Sequence, residues 1–174
     1  MSTPLADELF PEPEPLHPVP DEQIPMREYE NLRASGFFRW ATLDVQTYYR
    51  RLGWIGFWSG AIVSPIAAAS FPPDRQLAHL LLAVLGAGLA SIVLATLRLY
   101  LGWSYIRQRL EKESIVYEES GWYDGETWVK PEEELAKDRL VVEYQVQPVL
   151  KRLYRTFSGS LAISALGAIV WPFV

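Results

Sequence analysis

Two long segments of this 174-residue chain contain no charged residues. Residues 52–71 and residues 77–97 contain no Asp, Glu, Lys or Arg, and each offers about the 20 apolar residues that a helix needs to cross a bilayer core about 30 Å thick. Fifteen of the sixteen Lys and Arg residues flank this pair, and only Arg75 lies in the connection between them. Since cytoplasmic segments of membrane proteins are enriched in Lys and Arg, the pattern predicts a transmembrane hairpin with the N-terminus and residues 98–155 on the cytoplasmic side.

A third uncharged segment, residues 157–174, follows the cations Lys151, Arg152 and Arg155. Its eighteen residues are at the short end for a membrane span. We expect a third transmembrane helix, with a re-entrant or surface-lying segment as the alternative. Because the second span meets no helix breaker beyond its end except a glycine, it should continue as a helical stalk to residue 112.

The first 30 residues are acidic and rich in proline. Eight of them are Asp or Glu, one is a cation, and seven of the thirteen prolines of the chain fall within the first 25 residues. This composition predicts that residues 1–30 form an extended, disordered tail. The net charge of -5 argues against a nucleic-acid partner bound through a basic patch, and the absence of cysteine excludes disulfides, thiolate metal sites and iron–sulfur clusters.

Two sequence patterns concern the first span, one just before it and one within it. Residues 36–51 carry apolar residues on one helical face and cations on another, which predicts an interfacial amphipathic helix leading into the span. Gly56 and Gly60 form a small-xxx-small pattern that allows two helix backbones to approach closely. We expect Gly86 and Ala90 of the second span to be their packing partners.

The composition changes at residues 115–130 and favours a β-hairpin. Strand-forming residues stand on both sides of Asp124-Gly125, a pair typical of a two-residue type I′ turn. Since an isolated hairpin is only marginally stable, its aromatic side chains must pack against another part of the molecule.

Pro131 and the three glutamates after it are typical of a helix start. Residues 131–155 are therefore predicted to form a cytoplasmic helix or helices, with an apolar stripe and a break or kink at Pro148. The predicted fold class is a membrane α-helical protein: a transmembrane hairpin, a third C-terminal transmembrane helix, and a small cytoplasmic α+β element that contains a β-hairpin.

Four stretches resemble a known family: residues 65–71 (PIAAASF), 97–105 (LRLYLGWSY), 117–125 (YEESGWYDG) and 128–131 (WVKP). Together with most of residues 18–153 they are similar to a cyanobacterial and plastid membrane protein family of unknown function. It is known as a hypothetical chloroplast reading frame of red algae and is conserved in the green lineage and diatoms. The resemblance implies a photosynthetic organism and the thylakoid membrane, and it supplies no catalytic residues. Gln147 departs from the basic residue expected at its position.

Aromatic residues are dense on the predicted cytoplasmic side. Trp103, Trp122, Tyr123 and Trp128 could form a partner-binding surface, because amphipathic aromatic side chains provide contact area at little entropic cost. The alternative is that they form the core of the small domain and part of an interfacial aromatic belt. The two interpretations are compatible.

Few residues are candidates for chemistry. His79, at the start of the second span, could ligate a chlorophyll magnesium or a haem iron, and the alternative is an interfacial polar residue. No cofactor is expected, although chlorophyll or a carotenoid could bind. No histidine spacing predicts a metal site. The acidic residues of 118–134 are interpreted as a solvated surface, with Mg²⁺ binding or acid–base catalysis as the alternative.

Three functions therefore compete. The first is a non-catalytic biogenesis, assembly or maintenance factor that contacts membrane lipid and either subunits of photosynthetic complexes or other assembly factors. The second is a carrier of a pigment or cofactor that uses His79 and the aromatic residues of the spans. The third is a membrane enzyme that acts on a lipid or isoprenoid through its acidic residues.

Overall fold

The computed structural model describes residues 19–117 and 125–174. Its helices and strands are α1 Pro25–Ala34, α2 Val45–Ser70, α3 Leu77–Glu111, β1 Ser114–Tyr117, β2 Glu126–Val129, α4 Glu132–Val141 and α5 Gln147–Val170. Short 3-10 turns occur at Asp21–Gln23, Phe38–Thr42 and Trp171–Phe173, and a π-helical turn at Val142–Val146 joins α4 to α5.

Helix α3 is the centre of the molecule, with α2 packed against one side and α5 against another. Helices α2 and α3 and the continuous helical segment Glu132–Phe173 are long and apolar enough to cross a membrane. The fold class predicted from the sequence, including the third C-terminal helix, is confirmed. The 35-residue α3 extends past its apolar segment to Glu111, and residues 98–111 form a stalk.

Helices α2 and α3 approach most closely at two glycines. A Cβ atom added to Gly88 would lie 2.8 Å from the carbonyl oxygen of Gly56, and one added to Gly60 would lie 3.1 Å from Val84 Cγ1. Gly56 and Gly60 thus lie on the side of α2 that faces α3.

The predicted partners Gly86 and Ala90 are wrong. A Cβ added to Gly86 would meet nothing within 4 Å, and Ala90 is exposed. Because an α-helix turns by about 100° per residue, a shift of two positions from Gly88 moves a residue to the opposite side of α3.

We use the name head for the described part of residues 19–51, 98–117 and 125–155. Its core lies between the stalk and the apolar stripe of α4 and α5, and the N-terminal segment covers a third side. The buried apolar side chains contributed by the stalk and the stripe are Leu99, Trp103, Ile106, Leu110, Val142, Val146, Val149, Leu150 and Leu153.

The π-helical turn coincides with Pro148. Proline has no N–H, and its ring clashes with the carbonyl four residues earlier, so Pro148 cannot continue a regular α-helix from Tyr144. The wider π turn carries the chain past this position, and the apolar stripe continues into α5 without interruption.

The predicted disordered tail is wrong for the part of residues 1–30 that the structure describes. Residues 25–34 form α1, which packs against the stalk, and Val19 is buried. Pro25 occupies the first turn, where its missing N–H is harmless. Residues 1–18 lie outside the described part of the chain.

The predicted amphipathic helix over residues 36–51 is also wrong as a single element. The chain forms the 3-10 turn Phe38–Thr42, becomes extended at Leu43, and restarts as α2. The restart is fixed by Asp44, whose side chain accepts a hydrogen bond of 2.9 Å from the backbone N–H of Thr47.

The hairpin exists, but its predicted turn is wrong. Tyr117 pairs with Glu126, and eight residues lie between them in the sequence, whereas a two-residue turn leaves two. Gly125 does not have the positive φ that a type I′ turn requires. Residues 118–124, including the predicted docking residues Trp122 and Tyr123, lie outside the described part of the chain.

Candidate functional site: the hairpin face of the head

The inner face of the hairpin packs on the head. Ile115 and Tyr117 are buried against Val19, and the half-buried Trp128 and Ile24 complete this small cluster. The Tyr117 hydroxyl donates a hydrogen bond of 2.6 Å to Glu126 Oε2 across the strand pair. The inner face is therefore occupied by the protein itself.

The outer face of the hairpin carries two exposed valines, and none of the described residues covers it. Successive side chains of a strand point to opposite faces, so Val116, Thr127 and Val129 share the side away from the head. Val116 is 59% exposed and Val129 is 69% exposed. Thr127 is exposed as well. We call these three residues the hairpin face.

Lys130 fixes the hairpin face to the stalk. Its side chain is 1% exposed, and its ammonium donates to Asp138 Oδ2 at 2.6 Å, to the carbonyl oxygen of Leu110 at 3.1 Å and to that of Arg109 at 3.3 Å. All three N–H donors are therefore used, two of them on the carbonyls at the C-terminal end of α3, where the helix dipole is negative. The backbone N–H of Lys130 also donates to the carbonyl oxygen of Glu113.

Burial makes this ion pair sensitive to the loss of either partner. Burial raises the pKa of Asp138 above its ordinary value, and the hydrogen bond and charge of Lys130 oppose that rise. A buried carboxylate that loses its cation becomes an uncompensated charge, and breaking such a pair costs about 3–5 kcal/mol. The orientation of the hairpin therefore depends on a specific polar contact as well as on apolar packing.

A second ionic contact attaches the N-terminal segment. Arg109 donates from Nε to Glu28 Oε2 at 3.2 Å and from Nη2 to Glu28 Oε1 at 3.0 Å, a two-bond pairing, and it also reaches the carbonyl oxygen of Gln23. The hydrogen bonds that Arg109 donates to Glu28 raise the pKa of Arg109, which remains charged. Tyr29 extends the attachment by donating to Gln145 Oε1 at 2.6 Å.

Trp103 is not an accessible docking residue, which corrects its predicted role. It is 0% exposed, its ring meets Tyr29 edge-on at 6.1 Å, and its indole N–H donates to the carbonyl oxygen of Phe38 at 3.2 Å. Of the predicted docking residues, Trp128 alone lies in the described hairpin, where it supports the inner cluster. The valines of the outer face were overlooked, although the alternation of residues 115–117 and 127–129 carried the signal.

His79 lies at the opposite end of the apolar segments from the head. Its ring stacks on Phe71 at 5.7 Å and meets Trp171 edge-on at 4.9 Å, and the rings of Phe71 and Trp171 are 5.4 Å apart. This cluster joins the ends of α2, α3 and the C-terminal helical segment. His79 therefore has a packing role, whether or not it also binds a ligand.

An apolar groove of about 670 Å³ runs between α3 and α5 towards this cluster. Gly86 and Gly167 line it, and a Cβ added to either residue would meet nothing within 4 Å. The side of α3 at Gly86 is therefore open, whereas Gly88 is in close contact with Gly56 of α2. A second groove of about 410 Å³ lies between α2 and α3 and shares Leu85 and Leu89 with the first.

Within residues 19–117 and 125–174 the side chains of His, Asp and Glu form no group of three that could hold a metal ion. The head thus offers a firmly attached apolar face, and the apolar segments offer two grooves. Fold and site together define an α-helical membrane protein with a compact head outside its apolar segments.

The family-level comparison covers most of the chain. The model of the CGLD27-like family, described as "Conserved in the green lineage and diatoms 27", matches residues 17–159, and the chain belongs to this family. No solved structure matches the chain.

Plastid relatives agree with this assignment. The chain is 41% identical over 156 residues to the chloroplastic protein Conserved in the Green Lineage and Diatoms 27 of Arabidopsis thaliana, covering 89% of the chain but 48% of that relative. It is 40% identical over 148 residues to the uncharacterized protein ycf36 of Pyropia yezoensis, covering 84% of the chain and 90% of that relative. The uncharacterized protein ycf36 of Cyanophora paradoxa is 41% identical over 153 residues, covering 84% of the chain and 92% of that relative. The family identified from the sequence is confirmed.

Proposed function

We propose that this protein is a non-catalytic biogenesis, assembly or maintenance factor of the thylakoid membrane. In this proposal the head holds a protein partner through the hairpin face. The partner is a subunit of a photosynthetic complex or another assembly factor. The chloroplastic relatives and the three apolar helices support a plastid-type membrane as the setting.

The distribution of cations supports an orientation. Fifteen of sixteen Lys and Arg residues lie on the head side of the apolar hairpin, and Arg75 alone lies at its other end. Under the positive-inside rule, the head and the N-terminus face the cytoplasm, which in a plastid is the stroma.

The observation that carries the docking proposal is the exposure of the hairpin face outside the apolar segments. Lipid tails cover the exposed aliphatic side chains of the spans, but they cannot reach Val116 and Val129 on the head. Apolar surface in water gains free energy when it is buried by a partner, at about 25 cal/mol per Å². A face held rigidly by Lys130 also loses little conformational entropy on binding.

The test replaces the apolar face without disturbing the hairpin. Val116→Thr together with Val129→Thr keeps the β-branched shape and the strand preference but adds two hydroxyls to the face. We expect co-purified partners from native membranes to fall several-fold while the protein accumulates normally. The matched control is Leu140→Gln, which changes a side chain of similar exposure on α4 of the same head and should retain the partners. If the valine variant keeps its partners, or if the control loses them equally, the docking proposal is wrong.

A specific observation also favours a second function, that of a pigment or cofactor carrier. The groove between α3 and α5 leads towards His79, and an elongated hydrocarbon such as a carotenoid or the tail of a chlorophyll suits its apolar lining. An absorption spectrum of the purified protein tests this function. A near-stoichiometric pigment that is lost in Gly86→Leu but retained in Gly53→Leu would support the carrier, and a colourless protein would exclude it for these pigments.

A further inference from the structure

Cations are concentrated where the chain enters and leaves the apolar segments on the head side. Residues 36–51, 98–108 and 147–156 contain eight Lys or Arg and one acidic residue, Asp44. The carboxylate of Asp44 is already engaged as the cap of α2, and its hydrogen bond from the Thr47 backbone lowers its pKa. Of the eight cations, Arg107 alone forms a salt bridge in the described part of the chain, with Glu111 at 3.5 Å, so this boundary keeps a net positive charge.

Three of these cations lie over aromatic rings. Arg152 lies over Tyr48, and the other two, Arg51 and Arg98, lie over rings of one connected row. The guanidinium carbon of Arg51 lies 5.4 Å from the ring centre of Trp40, and that of Arg98 lies 5.1 Å from the ring centre of Phe38. Phe37 connects the two rings, at 5.1 Å from Trp40 and 5.5 Å from Phe38. Arg51 and Arg98 thus stand at the two ends of one row of three rings, which we call the ring row.

The ring row is fixed by the stalk. Phe38 packs directly on the backbone of α3 at Gly102, where any Cβ would collide with the phenyl ring. The carbonyl oxygen of Phe38 also accepts the hydrogen bond from the buried Trp103. The aromatic ends of both cation contacts are therefore part of the folded head.

The guanidinium edges of Arg51 and Arg98 remain available. Arg109 and Lys130 are paired with carboxylates, but no carboxylate or carbonyl in the described part of the chain pairs with Arg51 or Arg98, and both are exposed. A ring contact uses the flat face of a guanidinium and leaves its N–H groups free to point outward. Those N–H groups form a fork that matches the oxygens of phosphate or sulfonate groups.

The positions of the two arginines place them at headgroup level. Arg51 directly precedes the apolar residues 52–71, and Arg98 directly follows residues 77–97. Aromatic rings such as those of Phe38 and Trp40 are common at this depth. The positive-inside rule accounts for the number of cations at this boundary, but it does not account for two of them being held on a fixed ring row.

We propose that Arg51 and Arg98, held by the ring row, bind the phosphate or sulfonate headgroups of anionic lipids at the bilayer surface next to the head. The ring row fixes the guanidiniums in advance, so less side-chain entropy is lost when a headgroup binds. The ligand is an anionic lipid, bound through its headgroup, and this proposal is independent of the docking function of the hairpin face.

The experiment measures lipid bound to the full-length protein in nanodiscs. The discs contain phosphatidylcholine with a minor fraction of phosphatidylglycerol, and native mass spectrometry counts the lipids retained on the released protein. The wild type should retain phosphatidylglycerol in preference to phosphatidylcholine. Arg51→Gln with Arg98→Gln should reduce this preference by about tenfold or more, because it removes two forked, charge-assisted contacts with a headgroup in addition to the charge itself.

The matched control removes the same charge from the same boundary. Arg50→Gln with Arg155→Gln changes two exposed cations for which the described part of the chain shows no ring contact. It should lose only the share that comes from general charge attraction and keep most of the preference. Equal loss in both variants would mean general charge attraction only and would overturn the proposal, as would an unchanged preference in the Arg51 and Arg98 variant. Arg51→Lys with Arg98→Lys keeps the charge but loses the planar fork, and it should give an intermediate loss even if the Gln variant folds poorly.

Adding inorganic phosphate tests whether the ligand is a lipid or a free anion. Phosphate added during release should leave the phosphatidylglycerol count unchanged, because the acyl chains anchor the lipid beside the apolar segments. Displacement of the lipid by phosphate, with phosphate adducts on the lipid-free protein, would assign the site to a free anion and would contradict the lipid proposal.

Discussion

In the head, one ion pair is buried within the fold, whereas in the apolar segments α2 and α3 make close contact through glycine backbones. The head encloses Lys130 with Asp138 and packs Trp103 and Tyr29 into one core. In the segments, few side chains of α2, α3 and α5 are buried, and α2 meets α3 through Gly56 and Gly88. The head therefore has an interior of its own, while the segments rely on lipid to cover their apolar surface.

The largest expected effect comes from the centre of the head. Trp103→Ala removes a fully buried indole together with its hydrogen bond to Phe38, and we expect a loss of about 3–5 kcal/mol in stability and a depleted protein. Tyr105→Ala, on an exposed position of the same stalk, should change the stability by about 0.5 kcal/mol or less. Thermal unfolding in one detergent compares the two. A stable Trp103→Ala protein that loses partners instead would restore Trp103 to the docking surface.

The next-largest loss of stability is expected when the buried ion pair of the head is broken. Lys130→Met leaves Asp138 unpaired and should cost about 3–5 kcal/mol, seen as faster protease cleavage of the hairpin. The double variant Lys130→Met with Asp138→Leu replaces the pair by apolar side chains and should recover most of the loss. A double variant as unstable as the single one would show that the hydrogen bonds to the stalk carbonyls matter more than the ion pair.

A smaller effect is expected in the apolar segments. Gly88→Ala places a methyl group against the backbone of Gly56 and should cost about 1–3 kcal/mol, whereas Gly86→Ala points into an open gap and should be tolerated. Thermal unfolding of the two variants in the same lipid nanodiscs measures the difference. A larger effect at Gly86 would mean that α2 packs against the face of α3 that contains Gly86 and Ala90.

The apolar segments could be predicted from the sequence more fully than the head. The apolar segments follow from local composition, so the three helices and the stalk were predictable without contacts. Helix α1 was missed because it is held by Arg109, which lies 81 residues from its partner Glu28, and by Gln145, which lies 116 residues from Tyr29. No local pattern encodes such distant contacts. Its acidic, proline-rich surroundings pointed to disorder instead.

The errors at the site have a similar origin. The small-xxx-small pattern identified Gly56 and Gly60, but the matching side of α3 depends on helix rotation, and a shift of two positions selected Gly86 instead of Gly88. In the hairpin, Asp124-Gly125 suggested a turn, while the strand pairing of Tyr117 with Glu126 is set by inner-face packing on Val19. Trp103 was predicted to be a docking residue because it is a large aromatic residue. Its helical spacing from Leu99 and Ile106 also fits a core stripe.

The most direct test of the proposed account labels single cysteines, which is clean because the natural chain contains none. Val116→Cys probes the hairpin face of the head, and Arg75→Cys probes the connection at the other end of the apolar hairpin. In sealed vesicles with the cytoplasmic face inside, a membrane-impermeant maleimide should label the Arg75→Cys protein at once and the Val116→Cys protein only after permeabilisation. Labelling of the Val116→Cys protein in intact vesicles would contradict the orientation, and failure to label it after permeabilisation would show that its hairpin face is covered.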